Sequence, residues 1–207
     1  MNQTAEITIL HVDDDLEFVE LAADILEGES EQFTVETATS AGEGLDRLAV
    51  DDFDCVVSDY EMTGQTGLEF LSAIRERAPD LPFILFTGEG SEEVASDAIS
   101  AGATDYLQKQ LGNDQYTVLA NRIENAVEQH RAQQRAANLD RIRSLTSDIN
   151  QALMRADSRS RAEVRVCEII SDSEPYLFTW IGDIDADTQQ ITPRASAGAE
   201  AGYLDAI

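Results

Sequence analysis

The 207-residue chain is strongly acidic, with 41 aspartates and glutamates against 14 lysines and arginines and a formal net charge of -27 at pH 7. Such a surface repels phosphates, so we expect no nucleic-acid binding and no anionic membrane binding through this stretch. No apolar run approaches the roughly 18 residues of a membrane span, and the N-terminus lacks a signal-peptide pattern, which together predict a cytoplasmic protein. The length suits one domain of about 100 to 150 residues and a shorter remainder.

Short β-branched segments alternate with helix-spaced segments over the first half of the chain. This alternation predicts an α/β, doubly wound fold, with a parallel sheet and right-handed crossovers. Ser40, with Glu43 three residues later, predicts a capping box at the start of the second helix. The predicted strands are Ile7–Val12, Phe33–Thr37, Cys55–Val57, Phe83–Phe86 and Thr104–Gln108, and the predicted helices are Leu16–Leu26, Ala41–Val50, Gly67–Ala78 and a fourth that ends before Gly102.

Polar side chains follow four of these strands at the same end. In open α/β sheets the ligand crevice lies outside the carboxyl ends of the strands. Three carboxylates, a hydroxyl and an ammonium gathered there suit a hard divalent cation and a phosphoryl group. A single aspartate at such a place is more often a cap for the next turn, but five residues together favour a site. They are Asp13, Asp14, Asp59, Thr87 and Lys109.

This set of residues resembles the receiver domain of two-component response regulators, and the resemblance extends from about Ile7 to Val127. It implies a flavodoxin-like sheet of five parallel strands in the order 2-1-3-4-5. It also implies phosphorelay signal transduction, in which Asp59 accepts a phosphoryl group from a histidine kinase or a phosphotransfer protein. Lys109 is the only lysine of the chain and falls where the family has one.

The resemblance further implies Mg²⁺ as the cofactor and a role for each remaining residue. Lys109 would pair with one phosphoryl oxygen, and Thr87 would donate its hydroxyl to another. Tyr106 occupies the position of the family's switch aromatic, although a core aromatic on an edge strand fits the sequence equally well. The implied metal ligands are the side chains of Asp13, Asp14 and Asp59 and the backbone carbonyl of Glu61.

Two positions depart from the family pattern. Thr63 stands where a proline usually follows the methionine of the active-site loop, and Gln110 stands where a cis-proline usually follows the lysine. A cis bond before a non-proline residue costs about 2.5 to 4 kcal/mol. The Lys109–Gln110 bond is therefore either trans or strained, which leaves the direction of the lysine open.

A second class of function stays open beside the phosphorelay. In this alternative the chain is a phosphorylation-independent interaction module whose acidic site binds a cation structurally. The sequence predicts no independent enzyme beyond Mg²⁺-dependent self-phosphorylation and dephosphorylation. Whether a full-length protein carries a histidine kinase core or a DNA-binding helix-turn-helix is left open, as are the cognate kinase and any sensor ligand.

The periodicity changes after Asp114 and predicts a long C-terminal helix. Its later apolar positions form a narrow seam typical of a coiled coil, so we expect a homodimer through the linker. Two separate helices with a polar hinge near Gln129–Ala137 are the alternative. The seam residues are Ile142, Leu145, Ile149 and Leu153.

The last segment predicts a helix over Ser160–Ile170 and strands over Tyr176–Asp183 and Gln190–Ala197. It resembles the opening of a GAF sensor domain of the kind found in haloarchaeal regulators, as an incomplete α+β segment. The dispersed acidic charge is also typical of proteins from salt-loving cells. The predicted organisation is a receiver domain at 1–127, a helical linker at 128–157 and a GAF-like fragment at 158–207.

Overall fold

Five parallel strands form one sheet in the computed structural model, in the predicted order β2-β1-β3-β4-β5. The structure describes residues 6–88, 92–110, 112–186, 190–199 and 202. The strands are β1 (Ile7–Val12), β2 (Phe33–Ala38), β3 (Cys55–Ser58), β4 (Phe83–Thr87) and β5 (Asp105–Gln108). The helices that connect and follow them are α1 (Leu16–Glu29), α2 (Ala41–Leu48), α3 (Gly67–Arg75), α4 (Glu92–Ser100) and α5 (Asp114–Arg155).

Apolar side chains cover both faces of this sheet. On β1, Ile7 and Ile9 join a core cluster with residues of α1 and α5. Leu10 and Val12 join the opposite cluster, which includes residues of α2, α3 and α4. A parallel sheet buried on both faces has little room for polar side chains except at its edges and strand ends. The carboxyl ends of the strands are therefore where polar groups can gather.

The cap of α2 differs in part from the prediction. Ser40 accepts a hydrogen bond from the Glu43 amide at 3.2 Å, as expected. The Glu43 carboxylate, however, accepts from the amide of Thr39 at 2.9 Å and from its hydroxyl at 3.1 Å, so the predicted reciprocal bond to Ser40 is wrong. Thr39 offers two donors to this carboxylate. A complete capping box forms instead at α3, between Thr66 and Glu69.

Helix α3 ends at Arg75, three residues earlier than predicted. The Arg75 guanidinium donates to the carbonyl of Leu81 and to that of Gly102, each at 2.8 Å. It also donates to the carbonyl of Ala78 at 3.2 Å. These bonds satisfy the Ala78 and Leu81 carbonyls in the connection to β4 and the Gly102 carbonyl before β5.

Two compact units divide the chain, Met1–Gln133 and Gln134–Ile207. Helix α5 runs without a break through residues 129–137, so the alternative of two helices joined by a hinge is wrong. The second unit also contains α6 (Arg159–Ser171) and an antiparallel pair of strands, β6 (Phe178–Ile184) and β7 (Ile191–Gly198). Among the residues described, no helix is both long and apolar enough to cross a membrane.

Candidate functional site

The carboxyl ends of β1, β3, β4 and β5 meet along one edge of the sheet, because these strands are parallel. Asp13 follows β1, Asp59 follows β3 and Lys109 follows β5, while Thr87 is the last residue of β4. Asp13, Asp59 and Thr87 are all buried, although each is polar. Buried polar groups require partners, so their contacts decide what this edge can do.

Lys109 joins the two buried carboxylates. Its Nζ lies 2.6 Å from Oδ2 of Asp13 and 2.7 Å from Oδ1 of Asp59. The Lys109 amide also donates to the Thr87 carbonyl at 2.7 Å, which holds the chain after β5 against the end of β4. The structure thus brings Asp13, Asp59 and Lys109 into direct contact. It places Thr87 beside them, through the bond to the Lys109 amide.

This cluster has one ammonium for two carboxylates. Desolvation by burial raises the pKa of Asp13, and the nearby charge of Asp59 raises it further, although the contacts with Lys109 and the Asp15 amide oppose the rise. With both carboxylates ionised, the pair carries one more negative charge than Lys109 balances. An additional cation would relieve this excess.

Aromatic rings line the approach of Lys109 to the carboxylates. The Lys109 Nζ lies 4.2 Å from the centre of the Phe18 ring and 5.8 Å from the centre of the Phe86 ring, which are distances of cation–π contact. Phe18 lies in the first turn of α1, where Asp15 caps the helix by accepting from the amides of Glu17 and Phe18. Sequence reasoning missed Phe18. The only signal was an aromatic residue one turn after the aspartate cluster.

Asp59 is fixed by its backbone as well as by Lys109. Its amide donates to the Val12 carbonyl at 2.8 Å, and its Oδ2 accepts from the Glu61 amide at 2.9 Å. Gly67, at the start of α3, packs so closely that a Cβ there would overlap the Asp59 carbonyl oxygen. Only glycine allows this approach of the helix to the end of β3.

Asp14 lies apart from the lysine cluster. Its Oδ2 accepts from the Thr63 amide at 2.8 Å and from the Thr63 hydroxyl at 2.6 Å. These two bonds are the main reason that the pKa of Asp14 is lowered. The residue that replaces the expected proline therefore supplies both donors.

Two further features lie near this cluster, Tyr106 on β5 and the peptide bond after Lys109. Tyr106 pairs with Leu85 across β4 and β5 and is half-buried, and its burial raises the pKa of the phenol. The only cis peptide bond among the described residues is Glu174–Pro175, so the Lys109–Gln110 bond is trans. The lysine reaches both aspartates without a cis peptide.

His11 is a buried polar residue that the sequence analysis did not single out. Burial lowers the pKa of its imidazole to about 3, and the charge of Lys109 lowers it in the same direction. Neither ring nitrogen has a hydrogen-bond partner in the described structure, and the ring packs edge-on to Phe18 with 6.3 Å between centroids. A neutral His11 thus lies in the core next to the ring that contacts the lysine.

The donor set fits a hard divalent cation by its chemistry, because its oxygens are carboxylate oxygens with an excess of negative charge. In the described part of the chain, no three acidic, histidine or cysteine side chains already converge as a metal-binding group. The reason is visible in the contacts: Asp13 and Asp59 turn toward Lys109, whereas Asp14 turns toward Thr63.

Comparison with known proteins places this geometry in a family context. The model of the response regulator receiver domain matches residues 9–121. The C4-dicarboxylate transport transcriptional regulatory protein DctD of Rhizobium meliloti is 39% identical over 108 residues, which are 51% of this chain and 24% of that protein. The chain therefore spans about a quarter of the length of this relative.

Two further matches cover more of their counterparts. The acid tolerance regulatory protein ActR of Rhizobium meliloti is 32% identical over 136 residues, which are 66% of this chain and 68% of that protein. A solved CheY-like receiver domain protein from Methanospirillum hungatei has a TM-score of 0.56 and 28% identity, covering 62% of this chain and 99% of that one. The family match over residues 9–121 includes all five strand-end residues that the sequence analysis singled out.

Proposed function

We propose that this chain, which belongs to the response regulator receiver family, accepts a phosphoryl group on Asp59 from a histidine kinase or a phosphotransfer protein. The observation that carries the proposal is the strand-end cluster, in which the Asp59 carboxylate lies 2.7 Å from the only lysine of the chain. Family membership does not favour the alternative of a phosphorylation-independent module.

An Asp59 carboxylate oxygen forms a bond to phosphorus, the bond from phosphorus to the donor's imidazole nitrogen breaks, and the imidazole keeps the electron pair and takes up a proton. The product is an acyl phosphate on Asp59. Since two carboxylates already share one ammonium, the added phosphoryl charge requires positive groups around it.

Mg²⁺ would supply part of that positive charge, held by Asp13, Asp14, Asp59 and the carbonyl of Glu61. The protein's own residues would do the rest. Lys109, guided by the face of Phe18, would move from its carboxylate partners to a phosphoryl oxygen. Thr87, at the end of β4, would donate its hydroxyl to another oxygen, and Tyr106 would report the change to the surface beside β5.

The organisation beyond the receiver is also a proposal. We assign residues 1–127 to the receiver, 128–157 to a helical linker that pairs with a second copy, and 158–207 to the beginning of a GAF-like sensor domain. Support comes from the unbroken α5 and from the sequence order of α6, β6 and β7 in the second unit. We further propose a salt-loving, cytoplasmic setting from the acidic composition.

Labelling with a small phosphodonor tests the function. Incubation with acetyl phosphate and Mg²⁺ is expected to add one phosphoryl mass to the intact protein. Asp59→Asn should abolish the addition, whereas Asp52→Asn, a change at an exposed acid before β3, should leave it intact. Equal labelling of the wild type and Asp59→Asn would contradict the assignment.

A further inference from the structure

Thr63 makes contacts that a proline at the same position cannot make. Proline has no amide hydrogen and no hydroxyl. Thr63 uses both groups, and both donate to the same oxygen, Oδ2 of Asp14, at 2.8 and 2.6 Å. The shorter distance is in the range of hydrogen bonds between hydroxyls and ionised carboxylates. Gly64, with φ +88°, follows in the loop.

These contacts divide the three carboxylates of the site between two partners. Asp13 and Asp59 contact Lys109, while Asp14 contacts Thr63 and has no ion pair among the described residues. In the described structure the three acids consequently do not form a ligand group. A cation that takes all three carboxylates requires at least one of them to move, and Asp14 is the one that Thr63 holds away from Lys109.

We propose that Thr63 withholds Asp14 from the cation site, so that Mg²⁺ and Thr63 compete for the same carboxylate. The inference rests on the proposed function, which makes Asp14 a metal ligand. When a site is competent for only part of the time, its apparent dissociation constant rises by the inverse of that fraction. Thr63 thus acts as a positioning residue that sets the Mg²⁺ concentration at which the receiver becomes ready for phosphorylation.

The expected change in Mg²⁺ affinity is modest, because the hydrogen bonds between Asp14 and Thr63 are exposed to solvent. Asp14 and Thr63 are both exposed, so water replaces a lost hydrogen bond at modest cost. Loss of the hydroxyl bond alone is expected to tighten Mg²⁺ binding about threefold to tenfold. The phosphorylation rate at saturating Mg²⁺ should stay unchanged, because Thr63 then no longer holds Asp14.

Calorimetric titration of the whole chain with Mg²⁺ tests the competition, in about 1 M KCl to screen non-specific attraction to the acidic surface. Thr63→Val keeps the shape of the side chain but removes the hydroxyl, and should bind Mg²⁺ about threefold to tenfold more tightly. Thr63→Ser keeps both donors and should match the wild type. The Mg²⁺ concentration for half-maximal labelling by acetyl phosphate should shift in parallel.

An Asp14→Ala background provides the control. There the Thr63→Val change should have no effect on Mg²⁺ binding, because its target is gone. An unchanged dissociation constant in Thr63→Val overturns the competition, and a weaker one means that Thr63 instead orients Asp14 for the metal. If Asp14→Ala binds Mg²⁺ as well as the wild type does, Asp14 is not a ligand, and the metal assignment of the proposed function fails separately.

Discussion

At the residue scale, the sequence predicted the meeting of Asp13, Asp59 and Lys109 but not the pairing of Asp14 with Thr63. Asp13, Asp59 and Lys109 could be placed together because the ends of parallel strands share one edge of a sheet. The partners Phe18 and Thr63 could not, since their directions depend on the rotation of α1 and the path of the loop after β3. The sequence singled out Thr63 only because the family usually has a proline at this position, and it did not indicate the contact with Asp14.

His11 shows how a buried polar residue ties stability to pH. In the folded chain its pKa is lowered from 6.5 to about 3, so the folded form keeps the imidazole neutral. Below pH 6.5 the unfolded chain binds a proton there that the folded chain does not bind. The free energy of unfolding therefore falls as the pH falls, by up to about 1.4 kcal/mol per pH unit, until the pH approaches 3.

Replacement of His11 by leucine should remove this dependence. We expect the wild type to lose about 2 kcal/mol between pH 8 and pH 5 through this residue, and His11→Leu not to lose it. The variant should also gain stability at pH 8, because two unpartnered nitrogens leave the core.

Urea unfolding of both proteins at pH 8 and pH 5 measures the difference directly. Ile9→Val, a neighbouring core change without a titratable group, should alter stability equally at the two pH values. A His11→Leu protein that loses as much stability as the wild type on acidification would show that His11 is not the source.

At the element scale, periodicity and alternation were sufficient for the existence and order of the strands and helices. The residues at which helices and strands end were less predictable, because these ends depend on hydrogen-bond partners distant in sequence. The early end of α3 accompanies the bonds from Arg75 to the carbonyls of Leu81 and Gly102. The continuity of α5 was open between two alternatives, since its middle is polar and neither glycine nor proline marks a break.

The later part of α5 carries the predicted dimer. Ile142 is 49% exposed and Leu153 is 51% exposed, and Leu145 and Ile149 between them are only partly buried. An apolar stripe left this open favours a partner helix. We expect a chain that ends at Glu128 to be a monomer and a chain that ends at Asp157 to be a dimer.

Multi-angle light scattering of the two shortened chains gives their masses. Two monomers, or two equally stable dimers, would mean that residues 129–157 do not provide the dimer contact. Ile149→Glu in the longer chain should produce monomers, while Asn150→Glu, at the neighbouring exposed position, should not.

At the scale of the whole molecule, the negative charge is unevenly distributed. Residues 1–133 hold 29 of the 41 acidic residues but only 6 of the 14 basic ones. From the sequence we expected the charge to be spread over the entire chain, whereas the receiver unit carries most of it. Repulsion among so many carboxylates opposes compaction unless salt screens it.

The melting temperature should therefore rise steeply between low salt and about 1 M KCl, because the Debye length falls from about 30 Å at 0.01 M to about 3 Å. A shortened chain that ends at Gln133 should keep most of the dependence. Thermal unfolding followed by circular dichroism measures both. A melting temperature that does not change with salt would contradict the charge argument.

The phosphoryl group can be located on the chain by chemical mapping of the residue that accepts it. Borohydride reduces an aspartyl phosphate to homoserine, so reduction after treatment with acetyl phosphate and Mg²⁺ marks the acceptor for peptide mass spectrometry. We expect homoserine at residue 59 and none at residues 13 and 14. Homoserine at Asp13 or Asp14, or none anywhere in a chain that binds Mg²⁺, would contradict this expectation.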